Sequence, residues 1–360
     1  MSQKIRIEKT AKPKIKPAVD EGLGFGKHFT DHMFMMPYHV DRGWHDPAIV
    51  PYAPLQLDPA CMVFHYAQAV FEGLKAYRRK DHQIQLFRPE LNIQRLNRSN
   101  ERLGIPALDE DLVKTAIETL VAVDADWVPS AENTSLYIRP FVIATDEYLG
   151  VSVSKTYLFL IILSPSGAYY EAGMNPVKIY IENQYVRAVR GGTGEAKCAG
   201  NYAASLLAQE QAHQKGFAQV LWLDGVEQRY VEEVGSMNVF FVMDHTVVTP
   251  ALSGSILPGI TRQSVIELLR HRGMAVVERR ISVDEIVEKA KKGLIQEAFG
   301  TGTAAVISPI GELSFGDQTY CFNEGKTGAI SRDLYERLTG IQYGTKPDEL
   351  GWTSLVKVEK

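Results

Sequence analysis

The chain has 360 residues, of which 45% are hydrophobic and 23% are charged, and this composition is typical of a globular chain with room for two cores. Its formal charge of −4 gives no general attraction to nucleic acid or to an anionic membrane, so we expect neither as a partner. The three cysteines are far apart and form no C-x-x-C pair. Free thiols in a reducing cytoplasm are therefore expected.

The N-terminal segment, residues 1–20, carries several lysines and prolines but no apolar h-region, so we do not expect it to be a secretory signal. Its acidic residues and few serines favour a flexible arm over a transit peptide. Two helices follow in the first half. Residues 88–103 have Pro89 near the start and Gly104 just past the end. In residues 109–127, apolar side chains recur at helical spacing behind an aspartate cap.

Two strands come next along the chain. Residues 136–143 alternate in polarity, so Tyr137 and Arg139 share a face, and Pro140 suggests an edge strand. Residues 157–163 are uniformly apolar, as expected of a strand that is buried on both sides.

A run rich in serine, proline and glycine follows these strands at residues 164–169 and is the best linker candidate. We therefore expect an N-terminal domain at 1–167, an interdomain loop at 168–176 and a C-terminal domain at 177–360. The second half shows no regular alternation of helices and strands, which favours an α+β domain over a doubly wound sheet. Its predicted helices are 201–215, 261–272 and 284–291. Its predicted strands are 177–182, 219–223, 238–243, 275–278 and 304–308.

One motif sets Lys197 in a glycine-rich loop directly before a predicted helix; from residue 191 it reads Gly-Gly-Thr-Gly-Glu-Ala-Lys-Cys-Ala-Gly-Asn-Tyr. Flexible backbone lets a side chain lie close against a planar ligand. A partly desolvated lysine amine can form a Schiff base with an aldehyde cofactor. A phosphate-binding P-loop would need Gly-Lys-Ser/Thr, but Ala196 and Cys198 flank the lysine, so that interpretation fails.

A pyridoxal phosphate site also needs an acid against the pyridine nitrogen and a cradle for the phosphate. Glu232 and Glu233 are both candidates for the acid. Strand alternation would point them to opposite faces, and the pattern alone does not choose between them. For the phosphate, residues 257–261 open a predicted helix, whose N–H groups and dipole favour an anion. Residues 300–304 superficially match the dinucleotide fingerprint, but strand and turn follow instead of a helix, so we expect a loop of N–H and hydroxyl donors.

Other side chains could complete such a site. Arg95, Arg98 and Arg102 share one helix face, and one of them could reach the phosphate. Tyr202 could hydrogen-bond the phenolic oxygen of the cofactor, and Arg139 could bind a substrate carboxylate bidentately. Aromatic residues that could wall an apolar pocket are Phe25, Tyr66, Phe71 and Tyr169.

Taken together, these motifs resemble the fold-type IV pyridoxal phosphate enzymes, and specifically the branched-chain amino acid aminotransferases. The resemblance runs from about Gly24 to Gly316. It is carried by residues 25–33, 65–75, 87–89, 135–140, 197–202, 233–238, 257–264 and 300–304. It implies a two-domain α+β architecture with a smaller N-terminal α/β domain and a larger C-terminal domain built on a pseudo-barrel of mixed strands and helices.

The resemblance also implies roles for single residues. Lys197 would form the Schiff base and shuttle a proton, Glu233 would be the acid, and Tyr202 would bind the phenolic oxygen. The phosphate would be held by Arg95, Gly259, Ile260, Thr261 and Thr303. The substrate would meet Phe25, Tyr66, Phe71, Tyr137, Tyr169, Ser236, Thr303 and Ala304, with Arg139 on the distal carboxylate of glutamate.

Leu149 and Val151 match residues that family members contribute across a dimer interface, so the resemblance implies a homodimer. Mammalian members carry a C-x-x-C pair just after the Thr-Ala turn. Here Ala305 and Ser308 occupy those positions, so thiol regulation of that kind is not expected. We also expect no metal ion in the site.

The reaction that the resemblance implies is reversible, ping-pong transfer of the amino group between L-leucine, L-isoleucine or L-valine and 2-oxoglutarate. The nearest alternatives are the D-amino acid aminotransferases and the aminodeoxychorismate lyases of the same fold type. From another class, a nucleotide- or phosphate-binding module without catalysis could be built around the same loops.

Overall fold

A computed structural model describes residues 4–17, 22–167 and 174–358. The chain forms two compact units. The first consists of Met1–Tyr169, Ala196–Ala199 and Gly340–Lys360, and the second of Tyr170–Glu195 and Gly200–Thr339. The sequence placed residues 177–360 in one domain, whereas the C-terminal segment is counted with the first unit, because its strand Thr353–Val356 pairs with the strand Ile84–Phe87.

The helices and strands are numbered along the chain. The helices are α1 Met62–Tyr66, α2 Pro89–Arg102, α3 Glu110–Val123, α4 Ala199–Ala203, α5 Leu206–Gln214, α6 Ile260–His271, α7 Val283–Lys291 and α8 Ala329–Gln342. The strands up to residue 167 are β1 Arg6–Ile7, β2 His32–His39, β3 Gly43–Trp44, β4 Ala48–Pro51, β5 Ala69–Phe71, β6 Leu74–Arg78, β7 Ile84–Phe87, β8 Ser135–Ala144 and β9 Thr156–Ser166. The later strands are β10 Val177–Ile181, β11 Gln219–Leu223, β12 Val231–Val234, β13 Met237–Met243, β14 Thr246–Pro250, β15 Val276–Arg279, β16 Ile295–Gly302, β17 Val306–Phe315, β18 Gln318–Cys321 and β19 Thr353–Val356.

The first unit is built on one mixed sheet in the order β1-β4-β2-β9-β8-β6-β7-β19, with β3 beside β2 and β5 beside β8. Its core joins the buried sheet residues Phe34 and Phe159 to the apolar face of α3. This helix begins where the sequence predicted, since the side chain of Asp109 accepts a hydrogen bond from the backbone N–H of Leu112 at 2.9 Å and satisfies one of the donors left open at a helix start.

The prediction that Pro140 marks an edge strand is wrong. Strand β8 lies inside the sheet, with β9 on one side and both β5 and β6 on the other. Proline has no N–H to give to a ladder. It is tolerated here because it lies opposite the break between Phe71, which ends β5, and Leu74, which begins β6.

Part of the expected N-terminal arm is ordered. Strand β1 pairs in parallel with β4, and the backbone N–H of Arg6 donates to Pro47 O at 3.0 Å. Further along, the backbone N–H of Lys14 donates to Asp31 Oδ1 at 2.7 Å. Residues 1–3 and 18–20 of that segment lie outside the described part of the chain.

The second unit contains a closed barrel of six strands in the order β12-β11-β10-β17-β16-β13, because β12 also pairs with β13. Strands β14 and β15 extend the sheet beyond β13, and β18 pairs with β17. Buried apolar side chains such as Ile179, Phe241 and Leu313 fill its core. The expected α+β class with a pseudo-barrel is confirmed.

Two local predictions need correction in this unit. The helix predicted at 201–215 is interrupted, since α4 ends at Ala203 and α5 begins at Leu206. The loop predicted at 300–304 is shorter, because β16 continues to Gly302 and only a tight turn separates it from β17. Within the described ranges, no helix is long and apolar enough to cross a membrane, and no group of histidine, cysteine, aspartate or glutamate side chains could hold a metal ion.

Candidate active site

The backbone of Lys197 is fixed on both sides by hydrogen bonds of the first unit. Its N–H donates to the hydroxyl of Ser99 at 2.9 Å, and its carbonyl accepts from the backbone N–H of Phe71 at 3.0 Å. The next residue, Cys198, forms an isolated antiparallel bridge with Val70. The side-chain amine lies 4.9 Å from the ring centre of Phe71. The glycine-rich loop thus places the amine of its lysine over an aromatic face.

Three more predicted residues share this aromatic surface. The guanidinium of Arg139 lies 4.7 Å from the ring centre of Phe71 and 5.3 Å from that of Tyr137. Its Nη2 also donates to the hydroxyl of Tyr137 at 3.1 Å. The ring of Phe25 meets that of Tyr137 edge-on, with centres 4.8 Å apart. Strand alternation on β8 therefore places Tyr137 and Arg139 together, as predicted.

Other predicted residues of this unit lie at its surface or outside the described chain. The hydroxyl of Tyr66 donates to the carbonyl of Leu149. Leu149 and Val151 are 63% and 84% exposed. Tyr169 lies outside the described residues.

The three arginines on one face of α2 differ in their exposure to solvent. Arg95 is 4% exposed, whereas Arg98 and Arg102 are exposed to solvent. Arg95 pairs with the buried carboxylate of Glu72, with Nε 2.7 Å from Oε1. Arg95 therefore has the buried, fixed geometry expected of an arginine that binds a phosphate.

In the second unit, Glu233 is held by positively polarised groups. Its Oε1 accepts from the backbone N–H of Leu257 at 2.6 Å and lies 3.3 Å from Nη2 of Arg187. Arg187 also donates to the carbonyls of Gly194, at 3.1 Å, and Ser255. The sequence analysis missed Arg187, because a lone arginine ahead of a glycine-rich loop gives no signal that separates it from a surface arginine.

The neighbouring acid, Glu232, has a different environment. Its Oε1 accepts from the hydroxyl of Ser255, and its Oε2 has no hydrogen-bond partner in the described chain. Burial raises the pKa of Glu232 from 4.5 to about 7; the Ser255 hydrogen bond and the charge of Arg187 act against this, and the charges of Glu233 and Asp224 add to it. The raised pKa of Glu232 and the charged partner of Glu233 together favour Glu233 over Glu232 as the acid of the site.

Helix α6 begins at the segment predicted to bind a phosphate. Its N-cap is Gly259, which offers no side-chain cap, and its first turn contains no acidic residue. Ile260 and Thr261 are buried. A Cβ atom at Gly259 would lie 2.0 Å from Oδ1 of Asn238, so a larger residue there would displace the Asn238 side chain. A buried helix start with no side-chain cap is suited to an anion, since its N–H groups need partners.

The remaining predicted residues lie on turns or short elements of this unit. Thr303 and Ala304 form the turn between β16 and β17, and Ser236 is exposed at the turn between β12 and β13. Tyr202 lies on α4. The preceding residue, Asn201, ties this helix to the glycine-rich loop, because its Nδ2 donates to Thr193 O at 2.7 Å.

Each unit by itself offers groups that suit a phosphorylated aromatic aldehyde: the first has a lysine on an aromatic face, and the second has an acid held by an arginine and a buried helix start without a side-chain cap. The chain belongs to the family described as amino-transferase class IV, whose model matches residues 69–313.

Similar proteins support this membership. The chain is 59% identical to branched-chain-amino-acid aminotransferase 2 of Bacillus subtilis (strain 168), over 98% of this chain and 97% of that protein. It is 50% identical to the branched-chain-amino-acid aminotransferase of Mycolicibacterium smegmatis, over 96% and 97% of the two chains. Among solved structures, the branched-chain amino acid aminotransferase of Escherichia coli matches with a TM-score of 0.75 at 25% identity, covering 91% of this chain and 99% of that one.

Proposed function

We propose that this chain catalyses the reversible transfer of the amino group of L-leucine, L-isoleucine or L-valine to 2-oxoglutarate, in two half-reactions that share one site. The observation that carries the proposal is the grouping of Lys197, Phe71, Tyr137 and Arg139. Such a site must accept an apolar side chain and a carboxylated one in turn. Aromatic walls serve the first, and one guanidinium serves the second.

The cofactor of the proposal is pyridoxal 5'-phosphate, which when bound supplies an electron sink for the carbanion at the substrate α-carbon. Lys197 would hold its aldehyde and then carry the proton removed from that carbon, a contribution of about 10²–10⁴ in rate. Glu233, fixed by Arg187 and Leu257, would keep a proton on the ring nitrogen.

The other predicted residues would bind and orient the cofactor and the substrate. Arg95 and the first turn of α6, with Thr303, would hold the phosphate, and Tyr202 would donate to the phenolic oxygen. The substrate α-carboxylate would meet the Thr303–Ala304 turn, and Ser236 would border it. The apolar side chain would contact Phe25, Tyr66, Phe71, Tyr137 and Tyr169.

The proposal includes a homodimer. Leu149 and Val151 are strongly exposed aliphatic side chains of one loop, and a second copy of the chain would cover them. It also includes a cytoplasmic location, for which the free thiols of Cys61, Cys198 and Cys321 are suited.

The test is an assay of glutamate formation from 2-oxoglutarate with a panel of amino donors. We expect turnover with L-leucine, L-isoleucine and L-valine, and little with D-alanine. A preference for D-alanine would instead support the D-amino acid aminotransferase alternative. Pyruvate release from aminodeoxychorismate, without transamination, would support the lyase.

A further inference from the structure

The carboxylate of Glu72 is buried beside the candidate site and has no role in the mechanism above. Four hydrogen bonds hold it: Oε1 accepts from Nε of Arg95 at 2.7 Å, and Oε2 accepts from Nη2 of Arg95 at 2.9 Å, from Nδ2 of Asn92 at 2.8 Å and from the backbone N–H of Gly73 at 3.1 Å. The side chains of Arg95 and Glu72 are 4% and 1% exposed. A carboxylate with this many donors has one orientation.

This pairing fixes the direction of the Arg95 guanidinium. The two bonds run in parallel from Nε and Nη2, which is the side-on fork geometry. A guanidinium carries five N–H donors in one plane. The three that are not used in the fork therefore lie along the edges that face away from Glu72. Turning the guanidinium in its plane would break both bonds at once.

The same face of α2 also supports the lysine. Asn92, Arg95 and Ser99 recur at helical spacing and are all buried, and Ser99 holds the backbone of Lys197. Burial alone would raise the pKa of Glu72. The charge and hydrogen bonds of Arg95, with smaller contributions from the charge of Lys197 and the hydrogen bond of Asn92, outweigh burial and lower it. The ionised form of Glu72 is thus favoured within this group.

We propose that Glu72 is the positioning residue that aims Arg95 at the cofactor phosphate. The inference rests on the proposed function, because it needs Arg95 to bind a phosphate. A positioning role and a purely electrostatic role of Glu72 predict opposite changes in phosphate affinity when Glu72 is replaced. A carboxylate near a phosphate repels it, so removing the charge would tighten phosphate binding if charge alone mattered. If Glu72 instead orients the arginine, removing its fork weakens phosphate binding.

The test titrates the apoprotein with pyridoxal 5'-phosphate and, separately, with pyridoxal, and follows the visible absorption of the bound aldehyde. The ratio of the dissociation constant of pyridoxal to that of its phosphate isolates the phosphate, since both ligands react with the same lysine. In Glu72→Gln, the amide N–H₂ faces a donor of Arg95 and breaks the fork. We expect the ratio to fall by about tenfold, the size of one hydrogen bond to a charged group.

Two further variants keep the test decisive. Asn92→Ala removes one hydrogen bond to Glu72 but keeps the charge of Glu72. This variant should lower the ratio by a smaller factor than Glu72→Gln. It replaces Glu72→Gln in the test if that variant does not fold. In an Arg95→Gln background, adding Glu72→Gln should leave the ratio unchanged, because the effect runs through Arg95. As a matched control, Glu285→Gln breaks another two-bond pair, with Arg279, and should not change the ratio.

The outcomes separate the inference from the proposed function. A wild-type protein that binds pyridoxal as tightly as its phosphate would overturn both. A normal wild-type ratio that stays the same or rises in Glu72→Gln would overturn the positioning role alone. A full effect of Glu72→Gln in the Arg95→Gln background would also overturn it, because Glu72 would then act without the arginine.

Discussion

Replacing Arg139 by methionine should impair one half-reaction and spare the other. The proposed role of Arg139 is to bind the distal carboxylate of glutamate, which leucine lacks. Methionine keeps an unbranched apolar stem against Phe71 and Tyr137, so the wall for the apolar substrate remains.

The expected magnitude follows from the contacts. Losing charged hydrogen bonds to a carboxylate costs about 2 kcal/mol, which is about 30-fold in kcat/KM for glutamate. The stability of the protein should change little. Arg139→Met loses a hydrogen bond to Tyr137 at 3.1 Å and two ring contacts, but it also removes a buried Nε that has no hydrogen-bond partner among the described residues. The lost contacts lower the free energy of unfolding and the removal of the unpartnered Nε raises it. Each of these effects is about 1 kcal/mol, so they largely offset one another.

The assay measures single-turnover rates with L-leucine and with L-glutamate separately. Arg88→Met is the matched control, because the guanidinium of Arg88 also lies over an aromatic ring, 4.7 Å from the ring centre of Trp352. The control should leave the ratio of the two rates unchanged. If Arg139→Met lowers the single-turnover rates with both substrates equally, Arg139 does not bind the distal carboxylate.

Two other substitutions test the surroundings of the site. Gly73→Ala would place a Cβ 1.9 Å from the hydroxyl of Tyr137, so the ring must move; we expect a loss of about 1–3 kcal/mol in the free energy of unfolding, and denaturant unfolding at wild-type stability would contradict the packing. Glu232→Gln tests a carboxyl whose pKa is raised from 4.5 to about 7 by burial. The folded state binds this proton more tightly than the unfolded state, so its contribution to stability is complete below pH 4.5 and is lost as the pH rises through 7. The wild type should lose up to about 1.4 kcal/mol per pH unit more than Glu232→Gln across this window, and parallel curves for the two proteins would refute the shift.

Local sequence signals predicted most of the secondary structure. The aspartate cap of α3, the proline start of α2 and the apolar run of β9 act within a few residues, so they can be recognised without the fold. The Pro140 prediction failed because edge and interior positions differ only in what lies opposite them. That depends on where β5 ends and β6 begins, which the pattern of β8 does not contain.

The candidate site was predictable to the extent that its residues stand in motifs. Lys197 and Gly259 are marked by their glycine-rich or helix-opening surroundings. Arg187 stands in no motif, and Glu72 stands in one of the segments that carry the resemblance without any sign of its role. Each of these residues pairs with a partner that is distant in sequence, Glu72 with Arg95 and Arg187 with Glu233. A buried ion pair leaves no periodic trace in one sequence, so only the structure can identify it.

The most direct measurement is borohydride reduction of the protein in the presence of pyridoxal 5'-phosphate, followed by mass mapping of its peptides. Lys75 is a rival amine, since burial lowers its pKa to about 8, and a neutral amine is the form that reacts with an aldehyde. We expect the phosphopyridoxyl label on Lys197, and none on Lys75. Label on Lys75, or no stable label at all, would contradict the proposal that Lys197 holds the cofactor.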